Sequence, residues 1–350
     1  MSHPVRVGWH TARPDTRGEV TSSAPVAIVG AGPCGLAAAV ALKDVGLPHV
    51  VFDKATVVSS IEGYPTNLVF FSTPEKLVIG GVPFACAGDR PTRSEGIDYY
   101  RLVRATHALT VREHERVTRI ERVGADFVLH TDPVGGVPRT TRARAIVMAT
   151  GYFDYPNMLG VPGEHLPHVS HRFVDGASAR GCDAVVVGGG NSAVECAMEL
   201  ARCGARVTLV HYEPSFVSHV IKPWIMPEFE RQVAAGEIRL RWNARVTAIQ
   251  PGLVHVSAAG ASTTLPGEQV YLMTGYTPQP GLLGELGVVF DAATGVPEHN
   301  PATMETPVPG VFVAGVLTSG LKANGVFIEN GRGHGALVAA ALAARGGAGG

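Results

Sequence analysis

The chain has 350 residues, 45% of them hydrophobic and 17% charged, with a formal net charge of −1. That composition excludes a disordered chain and a generalised polyanion-binding surface, so no nucleic-acid partner is expected, and the length allows about two domains. No apolar run reaches the roughly 18 residues of a membrane span, and the polar start MSHPVRVGWHTARPDTRGEVTSS lacks a secretory core. Residues 1–23 are expected to be a flexible extension. Five widely spaced cysteines (Cys34, Cys86, Cys182, Cys196, Cys203) make no disulfide framework and fit a reducing, cytoplasmic setting.

Residues 25–29 (PVAIV) suit a buried parallel strand. They run into Gly30-Ala31-Gly32-Pro33-Cys34-Gly35, then a helical pattern over 36–43, then a second strand over 49–52 ending in Asp53. Strand, G-x-G-x-x-G, helix, strand and acid predict a dinucleotide site. Gly30 permits the tight turn, Gly32 lets backbone approach a pyrophosphate, and Gly35 lets helix pack on strand. Asp53 is placed for ribose hydroxyls, and Pro33 and Lys54 join the cofactor-binding candidates.

The pattern repeats downstream. Residues 182–187 read as a strand, Gly188-Gly189-Gly190-Asn191-Ser192-Ala193 as a G-x-G-x-x-A loop, 194–202 as a helix and 206–210 as a strand. His211 stands at the offset from Gly188 that Asp53 has from Gly30. A carboxylate there would repel a 2′-phosphate, so its absence permits NADP. His211 and Arg206 are the candidates to reach such a phosphate, although no arginine pair follows the strand and Glu213 is acidic. NADPH is favoured over NADH.

Each unit continues with short strands expected to be antiparallel (109–112 and 117–120; 238–241 and 246–249). Each then closes with a strand ending in Thr-Gly-Tyr, at Thr150-Gly151-Tyr152 and at Thr274-Gly275-Tyr276. The class is therefore α/β, with two Rossmann-like domains that each combine a parallel sheet and a small antiparallel meander. A third segment, strand 310–315 ending in Gly315, a loop with Ser319, Lys322 and Asn324, and a helix over about 328–344, returns the chain to the first domain.

The segments GAGPCGLAAA, SSIEGYPTNLVFFSTPEKL, ATGYFDYPNMLGVPGEHLP, GGGNSAVECAMEL, IKPWIMPEFE, TGYTP, GVFVAGV and IENGRGHG together resemble the two-dinucleotide flavoproteins of thioredoxin-reductase type. Among these the chain is similar to the YpdA-type bacillithiol disulfide (bacilliredoxin) reductases. The resemblance implies an FAD domain from 24–157 and 278–345, an NADPH domain from 158–277, and a frayed tail at 346–350. It implies reduction of a low-molecular-weight thiol disulfide, a bacilliredoxin as a possible partner, and a homodimer or homotetramer. The last helix would then aim its N-terminus at the flavin, with Glu329 as a flavin contact or a cap. Two departures from thioredoxin reductase stand out: no C-x-x-C occurs, residues 171–176 reading HRFVDG where that pair belongs, and Val316 replaces the usual Asp.

Cys34 is the catalytic candidate. At a helix N-terminus its thiol pKa is expected to fall, which suits a redox thiol; the alternative is a small packing residue. Cys196 and Cys203 are expected to pack. His165, His168 and His171 form a row broken by Pro167, and no metal site is expected. Tyr64, Phe70, Phe71 and Ser72 read as core or as a wall beside the flavin. Lys222, Pro223 and Trp224 suggest an NADPH or substrate contact. Three other readings stay open: a ferredoxin–NADP reductase without C-x-x-C, a flavin monooxygenase, and a sensor that binds both nucleotides without turnover.

Overall fold

The computed structural model describes residues 24–217, 220–278, 280–321 and 325–347. The expected N-terminal extension, most of the tail, and Lys322 and Asn324 lie outside them. Two five-stranded parallel sheets dominate. The first orders its strands Val311–Val313, Ala145–Met148, Val26–Val29, His49–Phe52, Val111–Arg112. The second orders them Ile238–Arg241, Arg206–Val210, Asp183–Val187, Gln269–Leu272, Val169–Ser170. The inner strands of both sheets are nearly continuous apolar runs because both faces are covered.

The two sheets follow one plan with one exchange. The outer place beside the Thr-Gly-Tyr strand is filled from downstream in the first sheet, by Val311–Val313. In the second it is filled from upstream, by Val169–Ser170. Each half also carries a three-stranded antiparallel meander, Glu115–Val123, Asp126–Pro133 and Arg139–Ala143 in the first, Ala244–Gln250, Gly252–Ala258 and Ala261–Gly267 in the second. The α/β class with two dinucleotide-type units thus holds. One detail differs: segments 109–112 and 238–241 do not enter the meanders. Val111 pairs in parallel with Val51, and Ile238 with Val207, so these strands extend the main sheets. Short apolar runs do not reveal strand direction, which the partner strand decides.

The helix Pro33–Asp44 (PCGLAAAVALKD) follows from strong helix formers with Pro at its first turn, and most of it is buried. Its cover is the terminal helix His334–Gly347. Gly335 meets it so closely that a Cβ there would stand 2.6 Å from Ala38 Cα. The single C-terminal helix expected over 328–344 is in fact two, Ile328–Gly331 and His334–Gly347, separated at Arg332 and Gly333. The chain crosses between the halves twice, and the crossings are laced together. Pro156 bridges Tyr276, and the Asn157 N–H donates to Gly275 O at 2.9 Å. The Thr274 hydroxyl donates to Asn157 O at 2.7 Å.

Candidate active site

A cleft of about 2100 Å³ runs between the carboxyl ends of the two parallel sheets. This is where doubly wound folds bind ligands, because loops there diverge and helix N-termini point inward. Gly30, Gly32, Pro33, Cys34, Asp53, Lys54, Thr150, Gly151 and Gly315 line one end. Gly188, Gly190, Asn191, Ser192, His211, Thr274 and Gly275 line the other.

The first loop is shaped by three glycines with separate duties. A Cβ on Gly35 would stand 1.9 Å from Gly30 O, so only glycine lets helix and strand approach there. Gly32, the N-cap of the helix, has no atom within 4 Å of its Cβ direction and leaves bare backbone facing the cleft. The Asp53 carboxylate accepts N–H bonds from Ala31 at 2.7 Å and Ala55 at 2.9 Å, which fixes the loop to the second strand. Burial raises its pKa, and the two N–H bonds and Lys54 oppose that rise. Lys54 is ion-paired with Asp154.

The second loop repeats this form. Gly190 is the N-cap and again opens on the cleft, while a Cβ on Gly188 would stand 2.4 Å from Met273 O. Ala193 is buried behind the loop in the place of Gly35. The His211 ring lies under the loop: a Cβ on Gly189 would stand 2.1 Å from it. Neither ring nitrogen of this buried histidine has a hydrogen-bond partner, and the Glu213 carboxylate is 3.7 Å away. Desolvation lowers its pKa, so the resting imidazole is neutral. Both loops fit a dinucleotide, for each offers open backbone at a helix N-terminus and a polar group at the ribose position.

Several expected residues fall elsewhere. Arg206 does not reach the cleft. It begins its strand, at the end opposite His211, and is held by two bonds to Asp183 of 2.9 and 2.7 Å. Glu329 does not line the cleft; its carboxylate accepts the Ser72 hydroxyl at 2.7 Å and faces Lys76 at 3.8 Å. Lys222 is also off the cleft wall, its ammonium over the rings of Phe327, Phe71 and Trp224 at 5.3 to 6.0 Å. Its backbone is tied to the second loop, the Lys222 N–H donating to Asn191 Oδ1 at 2.8 Å. The Asn191 amide is thus used to hold that segment.

Cys34 lies where the loop meets the C-terminal return. Cβ atoms built on Gly315 and Gly331 would stand 3.1 and 3.0 Å from its sulfur. Burial pushes its thiol up to about 12, against the fall expected from a helix N-terminus, because desolvation disfavours the thiolate. All five cysteines are free. The histidine row gathers no metal set among the described residues; His171 instead faces the buried Glu164 at 3.4 Å. Tyr64, Phe70, Phe71 and Ser72 all line the cleft, and Tyr64 meets Phe153 edge to face at 5.5 Å.

One cleft residue carries no sequence signal beyond its place one turn after Asn191. Glu195 sits on the inner face of the helix Asn191–Arg202, and burial raises its pKa to about 7. Among the described residues no helix is long and apolar enough to cross a membrane.

Known proteins agree with this geometry. The model of the pyridine nucleotide-disulphide oxidoreductases matches residues 27–315. Bacilliredoxin reductase Bdr of Bacillus subtilis is 43% identical over 320 residues, 91% of this chain and 97% of its own. The structure of bacillithiol disulfide reductase Bdr (YpdA) from Bacillus cereus superposes with a TM-score of 0.90 at 41% identity, covering 92% of this chain and 99% of that one. The thioredoxin reductase of T. acidophilum shares the fold, with a TM-score of 0.71 at 24% identity over 92% and 98% of the two chains. The chain is therefore an FAD- and NADPH-dependent oxidoreductase and belongs to the pyridine nucleotide-disulphide oxidoreductase family, in the branch of the bacilliredoxin reductases.

Proposed function

We propose that this protein uses NADPH to reduce bacillithiol disulfide, or a bacilliredoxin mixed disulfide, in the cytoplasm. The observation that carries the reading is the single thiol at the first loop. Cys34 borders the cleft with no cysteine bonded to it, so electrons reach an external disulfide without an internal C-x-x-C relay. The names borne by the B. subtilis and B. cereus relatives supply the substrate class. Neither ferredoxin reduction nor oxygenation is favoured by a feature of the cleft.

FAD, when bound at the first loop, supplies the two-electron chemistry between nicotinamide and disulfide. The residues of this chain hold and orient. Gly30, Gly32, Pro33, Gly35, Asp53 and Lys54 would hold the flavin nucleotide, with Thr150, Gly151 and Gly315 along its length. Gly188, Gly190, Asn191, Ser192, Ala193 and His211 would hold NADPH, with Thr274 and Gly275 at the crossing. Cys34 is assigned the thiol that meets the substrate. Its sulfur would attack one sulfur of the acceptor and release the first thiol. Two electrons and two protons then split the mixed disulfide, release the second thiol and restore the Cys34 thiol. By analogy with thioredoxin reductases, the halves would turn near Tyr155 to Gly160 and near Thr277 to Gly281.

The test is anaerobic. The NADPH-reduced protein is mixed with bacillithiol disulfide, with and without bacilliredoxin, and flavin reoxidation is followed near ~450 nm. Fast reoxidation by the disulfide supports the reading. Reoxidation only by oxygen or ferredoxin removes it.

A further inference from the structure

A 2′-phosphate carries between one and two negative charges near neutral pH and needs charge-assisted donors. The strand Arg206–Val210 ends without an arginine pair, and its own arginine is bound at the far end. Two further arginines are also committed. Arg202 is held by Glu199 at 2.6 and 2.8 Å, and Arg231 by Glu228 at 2.7 and 2.8 Å. Arg245 differs. It lines the cleft beside His211, and among the described residues no carboxylate lies within 4 Å of its guanidinium. The guanidinium stacks over the Tyr212 ring, 4.6 Å from its centroid. Such stacking leaves the edge donors of a guanidinium open.

The placement is rigid. Arg245 is the second residue of the strand Ala244–Gln250, and that strand is stitched to the turn after His211. The Ala244 N–H donates to His211 O and the Asn243 N–H to Glu213 O, both at 3.0 Å. A side chain from the meander is thereby set beside the ribose position of the Rossmann unit.

We infer that Arg245, presented on Tyr212, is the residue that reads the 2′-phosphate of NADPH, in place of arginines following the second strand. The inference rests on NADPH docking at the second Gly-rich loop, and is independent of which disulfide is reduced. His211 faces the same place with an unpartnered imidazole edge, and Glu213 sets the opposing charge. Arg245 thus decides between the phosphorylated and the plain nucleotide.

The experiment titrates the purified flavoprotein with 2′,5′-ADP and with 5′-AMP by calorimetry, in wild type, Arg245→Ala and Arg245→Lys. The side chain is exposed, so the variants keep the fold. In wild type 2′,5′-ADP binds more tightly. Arg245→Ala is expected to weaken it by about 10- to 100-fold, the loss of a charge-assisted pair, with 5′-AMP unchanged. Arg245→Lys keeps part of the preference. A preference retained in Arg245→Ala overturns the inference while NADPH use stands. A wild type without preference overturns both the inference and the docking it rests on.

Discussion

Tyr152 and Tyr276, the last residues of the two Thr-Gly-Tyr turns, stand edge to face with ring centroids 6.1 Å apart and planes at 87°. The internal repeat therefore meets itself where the chain crosses between halves. Phe153 fills the angle between them, 4.5 Å from Tyr152 and 5.2 Å from Tyr276. The Tyr276 hydroxyl is used as well, donating to His171 O at 2.7 Å.

This packing predicts a measurable coupling. Tyr152→Ala and Tyr276→Ala should each destabilise the protein, and the double variant by less than the sum, with a coupling of about 1 kcal/mol. Tyr276→Phe keeps the ring and loses only the hydrogen bond, so its cost should be the smaller one. Denaturant titration of the four proteins and Tyr276→Phe checks both statements.

Cys34 gives a pH dependence. With its thiol near 12, the thiolate fraction rises about tenfold per unit between pH 7 and pH 9. If Cys34 attacks the acceptor, disulfide turnover should climb over that range, while NADPH oxidation with an artificial acceptor stays flat. Cys34→Ser should lower disulfide turnover at least ~10-fold and leave the artificial-acceptor rate alone. Full turnover in Cys34→Ser, with a flat profile, would move the electron path off this residue.

Glu195 should leave a mark on stability. Its folded pKa of about 7 lies above the ordinary glutamate value of 4.5, so between those values the native state holds a proton that the unfolded chain releases. The resulting stability is present below about pH 4.5 and is lost as pH rises through about 7. Glu195→Gln should therefore be more stable than wild type at pH 8, by on the order of 1–2 kcal/mol after solvent screening, with the difference vanishing toward pH 5. Thermal melts at the two pH values read it.

Gly189 offers a cleaner separation of the two loops. Gly189→Ala would drive a methyl group into the His211 ring, which has no room to retreat among Phe216, Tyr212 and Trp242. The purified variant should keep its flavin and lose NADPH affinity by roughly tenfold or more. Flavin content by absorbance and NADPH binding by titration measure the two separately.

Asp53→Ala should do the reverse. It removes the acceptor of the Ala31 and Ala55 N–H groups and the ribose-facing carboxylate together. Flavin occupancy should fall, with a stability loss of about 1–3 kcal/mol.

The sequence by itself determined the two Gly-rich turns, their acid or histidine partners, the repeat, the α/β class and the absence of C-x-x-C. These are local properties: a turn's glycines, a strand's apolar run and a helix's opening residues act over a few neighbours. Tertiary structure decided the rest. It set strand direction for 109–112 and 238–241, because pairing is chosen by the partner. It bound Arg206 to Asp183 at the far end of its strand, and gave Glu329 to Ser72 and Lys76. It enclosed Cys34, so desolvation reversed the shift that its helix position suggests. It brought Arg245 from the meander to Tyr212 across a gap in sequence that no local pattern spans. Burial and long-range pairing set charge state and reach, and both depend on residues far along the chain.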